Sequence, residues 1–297
     1  MPPTNLAPTF AMSSDRDASV VINPGADTDN GDYMYDFNRF SDHSMSIPLE
    51  LTALVGMVGA LGVLEWDWGS SSFGVQSEGF FGKDTANGGM DKLGHVWSAA
   101  LVSDVLTHRI RRNSADRRGA AVTGSILSMG VMTGIEIFDG IAEQHAFSPQ
   151  DILANATGAA FSYIRNTVPG VRNKLDYRME YVPSGNRGAF EPWSDYSGQK
   201  YILALKLSGF ETISDTSLRF LELQAGYYAR GFTLNEKKQG RARQRELYVG
   251  IGINLQELFF GRHSEGESTM KTYGRRVFEY VQAPYTYATV APGAYNY

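Results

Sequence analysis

The apolar residues of this 297-residue chain change their period once. Between residues 48 and 168 they recur at helical spacing, and from 197 to 260 they alternate with polar or small residues. A single switch from a period of about 3.6 to one of about 2 puts helices first and a sheet afterwards. The pattern therefore predicts an α+β fold, a bundle of about four short apolar helices followed by an antiparallel sheet of three to four strands.

The first helix is expected from Leu49 to Trp66, opened by Pro48, and holds 14 consecutive uncharged residues from Leu51 to Leu64. A glycine-rich loop, Gly69 to Gly89, leads to a second helix from Met90 to Arg112 and a third from Arg118 to Gly140. A fourth starts at Ser148, a good N-cap, with Pro149 at its first position, and ends before Pro169-Gly170. None carries the roughly 20 apolar residues of an untilted membrane span. The third is rich in small residues, and its Gly130 and Gly134 suit a close helix crossing. Arg109, Arg111, Arg112, Arg117 and Arg118 make the turn between the second and third helices basic, which suits anionic headgroups or plain solvent.

Beyond residue 197 one face gathers Tyr201, Leu203, Leu205 and Leu207, then Leu221, Leu223, Ala225 and Tyr227, then Leu247, Val249, Ile251, Ile253 and Leu255. The opposite face is polar or small, with Glu222, Gln224, Gly226, Tyr248, Gly250 and Gly252. A fourth run, Arg276 to Ala283, alternates more weakly. This is too little for a lone membrane barrel, which takes at least about eight strands. The apolar face must be covered by helices, a partner or lipid.

Charge divides the chain further. The net charge is −5, and residues 1–47, with seven Asp and two Arg, carry all of it. That segment lacks sustained apolar periodicity and is expected to be a disordered acidic tail without the features of a signal peptide. The expected organisation is this tail, a helical domain over 48–170, a linker over 171–196, a β segment over 197–283 and a tail over 284–297. The remainder is charge-balanced, which excludes a nucleic-acid binder held by gross charge. Cysteine is absent, which excludes disulfides, zinc–thiolate sites and a thiol nucleophile.

Three of the helices carry polar residues inside apolar stretches. Asp91 and His95 lie at i and i+4 with Lys92 beside them, Glu136 and Asp139 at i and i+3, and Asp151 and Asn155 at i and i+4. Each pair shares one helix face, so packed helices bring the pairs together. Charges in apolar surroundings are costly unless paired. The cluster can be a satisfied network that sets helix register, or a lipid-headgroup site. It can also be a divalent-metal site of Asp91, His95, Glu136 and Asp139, or an acid–base site with His95, Asp91 and Lys92. His108 and His145 are weaker candidates, and His43 and His263 fall in polar segments expected to be mobile.

Three blocks carry a resemblance: Glu78-Gly-Phe-Phe-Gly-Lys-Asp-Thr-Ala-Asn-Gly-Gly-Met-Asp-Lys-Leu-Gly-His95, Glu136-Ile-Phe-Asp-Gly140 and Ser148-Pro-Gln-Asp-Ile-Leu-Ala-Asn155. In this order they resemble the YfiM-like family of bacterial envelope proteins, a domain of unknown function. The order Asp91-Lys-x-x-His95, Glu136, Asp151-x-x-x-Asn155 followed by Gly158 is also similar to VanZ-like membrane proteins, tied to glycopeptide resistance. The resemblance covers about residues 65–170 and implies a periplasmic or outer-membrane location without a known reaction. The lack of cysteine departs from the family's lipoprotein members. The resulting expectation is a membrane-associated envelope protein that contacts lipid. The alternatives are a metal-assisted or His-based hydrolase or transferase on a lipid-linked or phosphorylated substrate, and a module docking an outer-membrane partner through its sheet.

Overall fold

The computed structural model describes residues 34–82, 84–85, 87–143, 145–185, 190–262 and 268–296. Helices α1 (Phe37–Met45), α2 (Pro48–Leu64), α3 (Met90–Arg111), α4 (Arg117–Asp139) and α5 (Pro149–Thr167) come first. Short helices α6 (Val171–Lys174), α7 (Glu211–Ser214), α8 (Leu234–Lys238) and α9 (Leu255–Phe260), then α10 (Thr269–Tyr280), punctuate the rest. Strands β1 (Leu175–Tyr181), β2 (Gln199–Lys206), β3 (Leu221–Arg230), β4 (Gln244–Ile253) and β5 (Tyr287–Asn296) form one antiparallel sheet in the order β1-β2-β3-β4-β5. The fold is α+β, with the main helices ahead of a sheet of five strands rather than three or four.

Several expected boundaries change. Residues 1–33 lie outside the described residues, but Phe37–Met45, placed in the disordered tail, is a helix capped by the Asp36 side chain. The expected linker holds β1, and the expected C-terminal tail holds β5. The weak fourth run is the helix α10, whose Ser268 side chain accepts from the Lys271 amide. His43 is buried, between Thr123 Oγ1 at 2.9 Å and Ser114 Oγ at 3.1 Å. His263 lies outside the described residues.

α3, α4 and α5 pack against one another as the centre of the bundle. Small residues let them close. A Cβ on Gly158 of α5 would stand 2.1 Å from the Val96 carbonyl oxygen of α3, and one on Gly124 of α4 would stand 2.3 Å from Thr107 Oγ1. The expected pair Gly130 and Gly134 makes no such approach; both have open space where a Cβ would go. α2 meets the bundle through Leu51 and Leu54, around Ile47, Leu106, Ile110 and Ala120. Its Leu49, Val55, Met57, Val63 and Leu64 stay exposed. Among the described residues α4 is the single helix long and apolar enough to cross a membrane by length and composition, with a third of its apolar window buried; α1 and α2 together also are, but bend by 81°.

Met90, Tyr177, Tyr201, Ala229 and Phe232 form the core shared by bundle and sheet, with Leu93, Val96 and Phe161 packed on it. Past this corner the sheet is inverted. Its charged face is buried: Asp176, Arg178, Glu222, Gln224 and Lys206 are all at most 4% exposed. Its apolar face looks outward, with Leu203, Leu223, Leu247, Val249, Ile251 and Ile253 between 42% and 54% exposed. The register lines these residues up across strands: Leu223 opposes Leu205 and Ile251, and Ala225 opposes Leu203 and Val249.

Candidate functional site

The cluster forms where the N-terminal ends of α3 and α5 meet the C-terminal end of α4. At α3 the chain turns through Gly88 and Gly89, both with positive φ, and a Cβ on Gly89 would strike the Phe81 ring at 2.2 Å. Glycine there lets the helix begin at Met90 and puts Asp91, Lys92 and His95 in its first turns. At α5 the Ser148 side chain accepts from the Asp151 amide, with Pro149 at the first position. Asp151 thus sits in a first helical turn, where the helix dipole favours an acid. Glu136 and Asp139 close the last turn of α4.

Lys92 is 3% exposed and is the cation of one half of the cluster. Its ammonium lies 2.8 Å from Asp91 Oδ2 and 2.8 Å from Asp151 Oδ1, and pairs with Glu78 as well. Burial pulls the ammonium down, but Asp91 and Asp151 outweigh it, and the proton is held more tightly than in water. Burial pushes the Glu78 carboxyl up to about 7 against the pull of Lys92. Glu78 belongs to a loop held along residues 140–147 by pairing of Val75 with Phe147. The helical-spacing argument, restricted to helices, passed over it, although it opens the first of the three blocks that carry the resemblance.

The other half surrounds His95. Its Nδ1 lies 3.1 Å from Asn155 Oδ1, and its Nε2 lies 3.5 Å from Glu136 Oε1 and 3.7 Å from Asp151 Oδ1. Glu136 is 1% exposed, and its Oε1 has no hydrogen-bond partner among the described residues. Burial, with Asp151 and Asp139 nearby, pushes its carboxyl up to about 9. Asp139 turns elsewhere: Trp68 Nε1 donates to its Oδ1 at 2.7 Å, and the Trp68 ring stacks on Phe138. Burial raises the Asp139 carboxyl, opposed by Trp68, His145 and His95. All seven residues singled out by spacing therefore meet in one region, but they divide. Asp91 belongs to Lys92, Asp139 to Trp68, and His95 faces Glu136, Asp151 and Asn155.

A second charged cluster lies at the far end of α5, about 20 Å along the helix axis at about 1.5 Å per residue. Asp104 binds Arg172 at 2.7 Å and Arg276 at 3.2 Å, and Arg165 bridges Asp176 and Glu279. Burial alone would raise the Asp104 carboxyl, yet Arg172, Arg165 and Arg276 hold it well below the ordinary carboxylate range. Arg276 donates to His108 Nδ1 at 2.8 Å; burial and Arg276 depress this imidazole to about 4. His108 is thus a half-buried acceptor and not a solvated side chain. The signal was present, since Asp104 and His108 repeat the i, i+4 spacing of Asp91 and His95. Arg172, Lys206, Arg276 and Glu279 also line a cleft of about 1000 Å³.

Residues 77–167 match the model of a family described as "predicted periplasmic lipoprotein (DUF2279)". The match is less than a third of the chain and contains Glu78 and α3, α4 and α5, hence the whole Lys92–His95 cluster. No curated protein and no solved structure matches the chain. The family description agrees with a membrane-associated place on the periplasmic side of the bacterial envelope, and its domain has no known activity.

Proposed function

We propose that this protein lies against a lipid bilayer of the bacterial envelope through the outward face of its sheet, while the Lys92–His95 cluster locks the bundle behind it. The observation that carries the reading is the inverted sheet. An antiparallel sheet in water turns its apolar face to the core and its polar face to solvent. Here Asp176, Arg178, Glu222 and Lys206 are buried, and Leu247, Val249, Ile251 and Ile253 face outward with no charged residue among them. A continuous exposed apolar patch is costly in water and marks a membrane or protein contact. The inner strands β2, β3 and β4 are paired on both sides, so the backbone behind most of these side chains is satisfied. Val55, Met57 and Val63 on α2 and Ile126 and Ile137 on α4 are further exposed apolar side chains on the bundle. The YfiM-like and VanZ-like resemblance of the bundle blocks supports the same setting.

Flotation of the purified full chain with phosphatidylethanolamine–phosphatidylglycerol vesicles tests the reading. The wild type is expected to float, and a Val249→Asp/Ile251→Asp double variant is expected to stay in the dense fraction with unchanged circular dichroism. Equal flotation of both proteins would sink the proposal. A stable detergent-free dimer that shields Val249 and Ile251 would replace lipid by a protein partner.

A further inference from the structure

We infer that His95, Glu136 and Asp151 bind one divalent first-row transition-metal ion, of the Zn²⁺ or Mn²⁺ class, with Asn155 as the positioning residue behind the imidazole. This goes beyond the bilayer reading and does not depend on it. Two triads of side chains each offer ligand atoms within 4.8 Å of one another: Glu78, Asp91 and Asp151, and His95, Glu136 and Asp151. The first triad surrounds the Lys92 ammonium, which serves as its cation. The second shares Asp151, and through it Lys92, with the first, but neither His95 nor Glu136 has an ion pair with Lys92.

Proton logic sharpens the difference. The amide oxygen of Asn155 only accepts, so the imidazole proton lies on His95 Nδ1, 3.1 Å away. In the neutral imidazole Nε2 then carries the lone pair, and it faces Glu136 Oε1 and Asp151 Oδ1. At 3.5 and 3.7 Å these oxygens are too far for hydrogen bonds. They are close to the spacing of ligands on a shared ion, since bonds of about 2.0–2.1 Å in a tetrahedron put neighbouring ligand atoms about 3.3–3.4 Å apart. Glu136 supplies the independent sign. It is 1% exposed, and its Oε1, 3.5 Å from His95 Nε2, has no hydrogen-bond partner among the described residues. Its other oxygen faces the Ser148 amide at 3.4 Å, which leaves Oε1 for the ion.

The surroundings fit a metal centre. A ligating histidine normally donates its second ring N–H to a carbonyl or carboxylate, and Asn155 fills that role. Lys92 fixes the Asp151 carboxylate through both oxygens, Oδ1 at 2.8 Å and Oδ2 at 2.9 Å. One imidazole and two carboxylates suit Zn²⁺ or Mn²⁺, and three protein ligands leave further positions to water. The His95 side chain is 21% exposed, so an ion can enter from that edge.

The test uses the purified full chain without vesicles, dialysed against EDTA and then titrated with Zn²⁺ and Mn²⁺ by calorimetry, with metal content by mass spectrometry. One ion per chain is expected. Folded His95→Gln and Glu136→Gln should lose at least tenfold in affinity, and Asp139→Asn should stay within twofold of wild type. If the ligand variants fail to fold, Asn155→Ala provides the second route, with an expected loss of about 10–100-fold from an unsupported imidazole. Co²⁺ loaded into the wild type should give tetrahedral visible bands that His95→Gln abolishes. Absence of a stoichiometric ion in the folded wild type overturns the inference. So does binding that survives intact in folded His95→Gln or Asn155→Ala, or that falls equally in Asp139→Asn. Failed flotation with intact metal binding rejects the bilayer reading alone.

Discussion

Replacing Lys92 by methionine tests whether this ammonium is the cation on which the Glu78, Asp91 and Asp151 carboxylates depend. Methionine is unbranched like the lysine stem, so packing is largely kept and the change is chiefly the loss of charge. Lys92 is 3% exposed, 2.8 Å from Asp91 and 2.8 Å from Asp151. Removing one partner of a buried pair costs about 3–5 kcal/mol, because the other is left uncompensated. The chain can escape part of this by taking a proton onto Asp91 or Asp151, since Glu78, with its value of about 7, already holds one below neutral pH. A carboxyl group ionises near pH 4 in water, so at pH 7 that proton costs about 4 kcal/mol, and at pH 5 about 1 kcal/mol. The expected loss is therefore about 3–4 kcal/mol at pH 7, shrinking to about 1 kcal/mol at pH 5. Urea unfolding of wild type and variant at the two pH values, in EDTA, measures both. The reasoning fails if the loss at pH 7 is below about 1 kcal/mol, or if it does not shrink at pH 5.

Two further predictions concern the bundle. Gly158→Ala places a methyl group 2.1 Å from the Val96 carbonyl oxygen, backbone that cannot swing aside, and should cost about 2–3 kcal/mol by thermal unfolding. Gly130→Ala, in open space, should instead leave stability unchanged or raise it by up to about 1 kcal/mol. His108 makes stability fall in acid. Its folded value of about 4 lies below the unfolded value near 6.5, so between these limits the unfolded chain binds more protons and stability drops as pH falls. Arg276, Arg172 and Arg112 oppose its protonation, and Asp104 favours it. The slope should stay under about 1 kcal/mol per pH unit because the ring is only half-buried, and His108→Gln should flatten it in a urea series from pH 7 to 4.

The helices were legible because each is a long, largely apolar stretch bounded by start or stop signals. Ser148-Pro149 fixes the start of α5, Gly88-Gly89 the start of α3, and the arginine-rich turn separates α3 from α4. The polar pairs were legible within them, since i and i+4 residues share a face wherever the helix packs. Which pair meets which was not legible. That depends on crossing points set by Gly158 and Gly124, and Gly130 and Gly134, of the same residue type, make none. Glu78 and Trp68 escaped the spacing argument because loop residues carry no period. α10 escaped because only its last residues, 276–280, fall in the run read as a fourth strand, and so short a stretch does not separate the two periods.

β1 shows why the orientation of the sheet could not be read from its alternation. Leu175, Tyr177, Met179 and Tyr181 alternate with Asp176, Arg178 and Glu180 without a break, yet the charged set is the more deeply buried. Period two states that two faces differ; it does not state which one is covered. Cover is decided by what the rest of the chain offers. Here α5 brings Arg165 to Asp176 at 2.8 Å, α9 brings Gln256 to Asp176 at 2.6 Å, and Gln282 accepts from Arg178 at 3.0 Å. Asp176 and Arg178 thus find polar partners on segments that pack over them, while Glu222 and Glu180 pair within the sheet with Arg178 and Lys200, which makes burial of that face tolerable. The leucine and isoleucine face then has no element left to cover it in the described chain. The physical cause of the outward apolar surface is thus the inward charge network. Breaking the network at Arg178 and charging the surface at Val249 and Ile251 should act on different properties, the first on stability and the second on attachment to vesicles.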